Sequence, residues 1–384
     1  MIDSHKGLFV KEKPFFYIRE MKIKDLEKIL EDWAPLSLQE SYDNCGLLVG
    51  ESETKVTSVL VSLDITEEVV LEAIRRNANM IVAHHPVIFK GLKSLTGNNE
   101  VERCIIMAIK NSIALYAIHT NLDSISGGVS HAMGEALGLL HMKTLSPKKA
   151  GLFQLVTHVP TEYTKVVSEA LFNAGAGKIG SYDQCQFTVK GKTSFRPLKG
   201  SNSFKGDIGK LEMSDEDRLE LIVPIENKEL VENALINIHP YEEVSYAWLE
   251  MSNSFRDRGF GVIGELETAL SDKDFIKKIK DVFGVKAVKH TNSKSNSVKR
   301  VALCGGSGSE LLSNAIKLNS DAFITADVSY HTFFDAKKVI FLADIGHWES
   351  EQHTIQLITD YIRSKMTNFA VIKTESITNP IITS

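Results

Sequence analysis

The chain has 384 residues, 43% hydrophobic and 24% charged, which is material for more than one hydrophobic core. Against 44 basic residues stand 49 acidic ones, a net charge of −5 that argues against nonspecific nucleic-acid binding as the main task. The four cysteines, Cys45, Cys104, Cys185 and Cys304, lie far apart with no CxxC pair, which excludes a disulfide scaffold and a cysteine-type zinc finger.

Residues 1–20 read as an extension, without the apolar segment or cleavage site of a signal peptide. No run approaches 18 apolar residues, so no membrane span is expected, and the expected location is cytoplasmic. From Met21 to residue 147, strand and helix patterns alternate. Residues 56–63 (VTSVLVSL) predict a strand, and Asp64 and Thr66 offer capping oxygens to a helix with Glu67 and Glu68 in its first turn. Residues 80–83 (MIVA) predict a second strand running into His84, His85 and Pro86, which makes a βαβ unit with polar residues at a strand's carboxyl end.

The segment 148–255 has another texture. It opens on the strand pattern LFQLVTHVP (152–160), continues with a helix from Thr164 to Asn173, and then turns Gly-, Ser- and Lys-rich around 191–209, which predicts a loop. RLELIVPI (218–225) predicts a strand, a helix follows, and HPYEEVSYAWLEM (239–251) ends the segment. Two strand-helix-strand runs in succession suggest a ferredoxin-like α+β domain inserted into the chain. Residues 256–384 return to the first pattern. VKRVALCGG (298–306), DAFITAD (321–327) and KVIFLAD (338–344) predict strands, with a helix over 310–318. The expected architecture is two α/β lobes with candidate functional residues at strand ends, where open α/β sheets bind ligands.

Three short patterns carry chemistry. In AHHPVIF (83–89), Pro86 ends the strand, so two adjacent histidines can turn toward one space; alone, the pair equally suits two polar loop residues. In HTNLDSISGG (119–128), Asp123 offers a hard oxygen ligand, although taken alone it reads first as an Asx-turn or helix cap. In DIGHWESEQ (344–352), His347 and Glu351 stand four apart, the spacing of two ligands on one helix face or of an ordinary surface pair. Together they offer three imidazoles and two carboxylates without sulfur, a set that suits Zn, Fe or Mn and leaves coordination positions open.

The pieces SYDNCGLLVG (41–50), SLDIT (62–66), AHHPVIF (83–89), HTNLDSISGGV (119–129), GGSGSE (305–310), TADVSYH (325–331) and DIGHWESE (344–351), in order from about Met21 to the end, resemble the NIF three-like family. Its bacterial members are labelled GTP cyclohydrolase 1 type 2 homologues. The resemblance implies a two-lobed α/β fold with two divalent metal ions per subunit between the lobes, held by His84, His85, Asp123, His347 and Glu351. It also implies a toroidal homohexamer and an inserted PII/CutA-like domain, carried here by residues 174–185 and 239–246.

Two functions follow as expectations. One is a metal-dependent hydrolase acting on a small molecule or nucleotide, with His119 and His331 as proton shuttles or supports of the ligands. The other is a noncatalytic metal carrier or regulatory scaffold. GGSGSE could bind phosphate at a helix start or form a tight turn. His239, Tyr241 and Glu242 could form a binding edge or a structural turn around Pro240.

Overall fold

A computed structural model describes residues 21–148, 151–253, 255, 257–366 and 369–382; the expected N-terminal extension lies outside them. The chain forms β1 (Gly46–Val49), β2 (Ser58–Ser62), β3 (Met80–Ala83), β4 (Ala114–Ala117) and β5 (Leu140–Pro147). The insert follows, with β6 (Leu152–Pro160), β7 (Phe187–Phe195), β8 (Glu212–Pro224) and β9 (Tyr246–Glu250). The last part holds β10 (Gly259–Leu270), β11 (Lys289–His290), β12 (Val298–Leu303), β13 (Ala322–Thr325), β14 (Phe341–Asp344) and β15 (Ala370–Lys373).

These strands build three sheets, ordered β1-β4-β3-β2-β15, β11-β14-β13-β12-β10-β5 and β7-β8-β6-β9. In the first, β15, β2, β3 and β4 run parallel and β1 closes the edge antiparallel. In the second, β12, β13 and β14 are parallel. Parallel strands buried on both faces read as continuous apolar runs, which is why MIVA, AFIT and FLAD are legible as strands and are fully buried.

The lobes are not contiguous in the chain. β5, which precedes the insert, pairs with β10 in the second sheet. β15, near the end, pairs with β2 in the first. Helix His353–Lys365 buries Ile358 and Ile362 in the first lobe's core. Helix Val129–Leu137 spans both lobes, with Val129 in the first core and Met133 and Leu137 in the second. The two lobes are thus stitched by chain crossings as well as by contact.

The insert has the connectivity βαββαβ, with all strand pairs antiparallel. Val167, Leu171, Val231 and Leu235 of its two helices pack on Leu155, Leu219, Leu221 and Val223 of the sheet. One local expectation fails here. The first part of the predicted loop at 191–209 is strand β7, which runs to Phe195 and pairs with β8 along its length. An edge strand exposed over most of its length carries little hydrophobic alternation, so backbone pairing rather than side-chain pattern defines it.

The segment after β15 is clamped by Glu72, which is almost fully buried. Its carboxylate accepts from Thr374 Oγ1, Ser376 Oγ, the amides of Glu375 and Ser376, and the Arg76 guanidinium. Burial alone would raise its pKa, but these donors outweigh it and hold it at about 2. Because the folded value lies below the unfolded one, the stabilisation is complete above pH ~4.5 and is lost as pH falls toward 2. A Glu72→Gln variant is expected to lose on the order of 3 kcal/mol at pH 7 and to show a flatter decline on acidification, both read from chemical unfolding at several pH values. Ile358→Ala, a truncation at a fully buried position, should destabilise by about 2–5 kcal/mol in the same assay.

Candidate metal centre

The carboxyl ends of the parallel strands of both lobes point into one space. β3 delivers His84 and His85, whose amides continue the ladder to Ser62 and Leu63 at 3.3 and 2.9 Å. β4 leads to His119, and the short helix Thr120–Asp123 ends on Asp123. From the second lobe, β14 leads through Gly346, at φ 92°, into helix His347–Glu351. The i, i+4 spacing places His347 and Glu351 together, with Nε2 3.2 Å from Oε2.

Every imidazole is pinned by its Nδ1. His84 bonds the Ile118 carbonyl at 2.8 Å, His85 the Asp64 carboxylate at 2.7 Å, His119 the Asp43 carboxylate at 2.8 Å, and His347 the Asp327 carboxylate at 2.6 Å. Carbonyls and carboxylates only accept, so each Nδ1 donates, and in the neutral ring the lone pair sits on Nε2. Asp43 is itself fixed by the amide and hydroxyl of Thr120, and Asp64 by the hydroxyl of Thr378.

The Nε2 atoms converge on carboxylates. His84 Nε2 lies 3.8 Å from Asp123 Oδ1 and 3.9 Å from Glu351 Oε1, and His85 Nε2 lies 3.0 Å from Glu351 Oε2. His84 is fully buried and Glu351 is 3% exposed, yet His84 Nε2 and Glu351 Oε2 have no partner with hydrogen-bond geometry. Buried polar atoms left so are rare. Their lone pairs face a common volume, as donor atoms around a cation do. Donor atoms of His84, His85 and His119 lie within 4.8 Å of one another, and so do those of His85, His347 and Glu351.

The carboxylates of the cluster draw positive charge, as protons on the rings, onto the same nitrogens that a cation would take. Burial holds His84 below its ordinary pKa, so its ring is neutral. Burial would also lower His85, but Asp64 and Glu351 lift it to about 10. Glu351 lifts His347 to about 9 against its burial. Burial would raise Glu351, but His347, His84 and His85 hold it well below the usual range. Burial and the Glu351 charge push Asp123 well above its usual range, against the opposing charges of His85 and His347.

The five residues expected as ligands lie near one another, His84, His85, His347 and Glu351 within the two groups and Asp123 3.8 Å from His84, and His119 lies beside them. His331 is exposed on helix Tyr330–Ala336 and makes ring contacts with Tyr330 and Phe334; among the described residues nothing links it to the cluster. Sequence reasoning passed over Asp43 and Asp327 and read Asp64 as a helix cap, whereas all three carboxylates orient the rings and Thr66 alone caps the helix. Each stands in a quoted motif (SYDNC, SLDIT, TADVSYH), but an Asp near a strand end has too many ordinary uses to be singled out.

The glycine loop 305–310 also has a structural use. The amides of Gly305, Gly306 and Gly308 already donate to Ser130, Ser350 and Thr325, and the α-helix that follows is the six-residue Leu312–Lys317. This is a tight turn rather than a phosphate cradle. Gly306, at φ 62°, leaves room for the cluster, because a Cβ there would collide with Glu351 Oε1 and sit 3.2 Å from His347 Nε2.

The class is defined by a two-lobed α/β fold with a histidine–carboxylate cluster, able to hold a metal ion, at its strand ends. The chain belongs to the Duf34/NIF3 (NGG1p interacting factor 3) family, which it matches over residues 21–380. It is 38% identical over 322 residues (83% of this chain, 87% of the relative) to a GTP cyclohydrolase 1 type 2 homolog of Halalkalibacterium halodurans. It is 35% identical over 358 residues (92% and 96%) to the Bacillus subtilis protein of the same name. The fold is similar to a crystal structure of a Bacillus cereus protein related to NIF3, with TM-score 0.82, 33% identity, and 95% of this chain and 100% of that one covered. Among the described residues no helix is long and apolar enough to cross a membrane.

Two substitutions test the geometry. Asp327→Ala removes the support of His347 at a half-exposed position, and should weaken metal retention about 10–100-fold while leaving thermal stability near the parent's. Gly306→Ala should displace Glu351 and lower metal content by elemental analysis, with an unchanged far-ultraviolet circular dichroism spectrum.

Proposed function

We propose that the cluster holds two divalent metal ions side by side, with His85 common to the two donor groups, and that the protein is a metal-dependent hydrolase. The observation that carries this is the convergence of imidazole nitrogens of His84, His85, His119 and His347 with the Glu351 carboxylate, His84 Nε2 being fully buried without a hydrogen-bond partner. Three to four imidazoles with two carboxylates and no thiolate suit Zn, Fe or Mn. When bound, such a pair would supply a water of lowered pKa and a Lewis-acid clamp for the scissile group.

The chain's own residues do the rest. Asp43, Asp64 and Asp327 fix the ring orientations. Partial exposure of His85 and His347, 22% and 35%, leaves an approach from solvent. His119 sits in the cluster, its Nδ1 proton held by Asp43, which leaves its Nε2 for one of two roles, a donor to an ion or, in preference to His331, the proton-handling group. The substrate class suggested by the relatives' names is GTP, opened hydrolytically. We also propose a toroidal homohexamer with the sites facing its interior, and a PII/CutA-type insert, on the strength of the sequence resemblance and the insert's βαββαβ connectivity.

The same openness suits a carrier that delivers its ions, and one experiment separates the readings. Elemental analysis of the parent should give about two first-row metal ions per chain, and His85→Ala, which removes the common donor, should lose both. A metal-loaded parent that turns over GTP or a phosphate ester, with activity abolished in Glu351→Ala, supports the hydrolase. Ions that pass quickly to a chelator, with no turnover of either substrate, support the carrier. A parent without metal after growth in metal-replete medium would sink both.

A further inference from the structure

A second concave site lies in the insert, built by the turn that the sequence offered as either a binding edge or a structural corner. A cavity of about 450 Å³ opens beside β8, within the size range of small-ligand pockets. Three aromatic rings line it: Phe195 at the end of β7, Phe204 from the segment that follows, and Tyr241. The centroids of Phe195 and Phe204 lie 6.0 and 5.9 Å from that of Tyr241. His239 anchors the turn, its Nε2 donating to the His158 carbonyl at 3.0 Å and its Nδ1 accepting from the Tyr241 amide at 3.1 Å. Glu242 ties down the facing segment by accepting from the Asn202 amide at 2.9 Å.

Glu216 also lines this cavity and is only 4% exposed. Its Oε1 accepts from the Tyr241 hydroxyl at 2.6 Å; among the described residues it has no other hydrogen bond and no ion pair. The ammonium that lines the cavity, Lys205, is half exposed and drawn to Glu162 at 3.8 Å. A carboxylate withdrawn from water with one neutral donor and no counter-charge is unfavourable. An occupant carrying positive charge offsets that cost, and aromatic faces attract cations as well. An anion would meet Glu216, Glu242 and Glu243 together, and a neutral occupant would leave the buried charge uncompensated.

We propose that the inserted domain binds a small organic cation (an amidinium, guanidinium or quaternary ammonium), its charge against Glu216 and its body between Phe195, Phe204 and Tyr241. The site shares no residue with the histidine cluster, so the proposal does not depend on what that cluster does.

The test is calorimetric titration of the full-length protein with benzamidinium, methylguanidinium and tetramethylammonium, and with benzamide as the neutral isostere of the first. At least one cation should bind with one site per chain, and benzamide at least tenfold more weakly than benzamidinium. Glu216→Gln should weaken the cation at least tenfold without lowering the thermal midpoint. Phe204→Ala, in an exposed segment, should weaken it several-fold with the fold intact. Binding should survive removal of metal by a chelator. No binding of any of the three cations at millimolar concentration, equal binding of benzamide and benzamidinium, or affinity unchanged in both variants would overturn the proposal.

Discussion

The buried Glu351 carboxylate is the constraint around which the two lobes are arranged. A carboxylate at 3% exposure needs compensation from nearby positive or donor groups. That compensation comes from two separate places in the chain: His347 one helical turn away, and the adjacent His84 and His85 from the opposite lobe. None of these rings is free to choose its direction, because each is held by a bond on its far nitrogen. The lobes can therefore dock in one relative placement without leaving the carboxylate bare, and that placement also gathers the donor atoms.

The chain crossings reinforce that docking. Helix Val129–Leu137 has an end in each core, β15 belongs to the first sheet, and β5 to the second. Separating the lobes would pull one end of that helix out of its core. The final segment adds a tie, since Glu72 gathers residues 374–376 while Thr378 bonds Asp64 and Asn379 bonds Glu349. Asp64 in turn orients His85, so the last residues of the chain support a ring on the other side of the sequence.

The insert follows a different logic. It has its own core of Leu, Val and Ala residues beneath one sheet face, and its notable polar group, Glu216, is left without a counter-charge rather than surrounded by donors. The two buried carboxylates thus contrast: Glu351 is compensated by imidazoles of the chain, whereas Glu216 is compensated by a single tyrosine hydroxyl.

Much of this was legible in the residues alone. Parallel strands such as MIVA and FLAD are short apolar runs because both faces are buried, and His347 and Glu351 share a face because helix periodicity requires it. The five acidic and imidazole positions stood at strand ends in quoted order. What the sequence could not decide was direction and partnership. Two adjacent histidines point the same way only because the strand ends against a second lobe. The Nδ1 of His119 is tied down by Asp43, 76 residues earlier, a partnership no local pattern announces. Gly306 matters only because Glu351 occupies the space a side chain would take. Local pattern records burial and periodicity, which depend on near neighbours along the chain; convergence of lone pairs depends on how distant segments dock, and only the tertiary structure carries that.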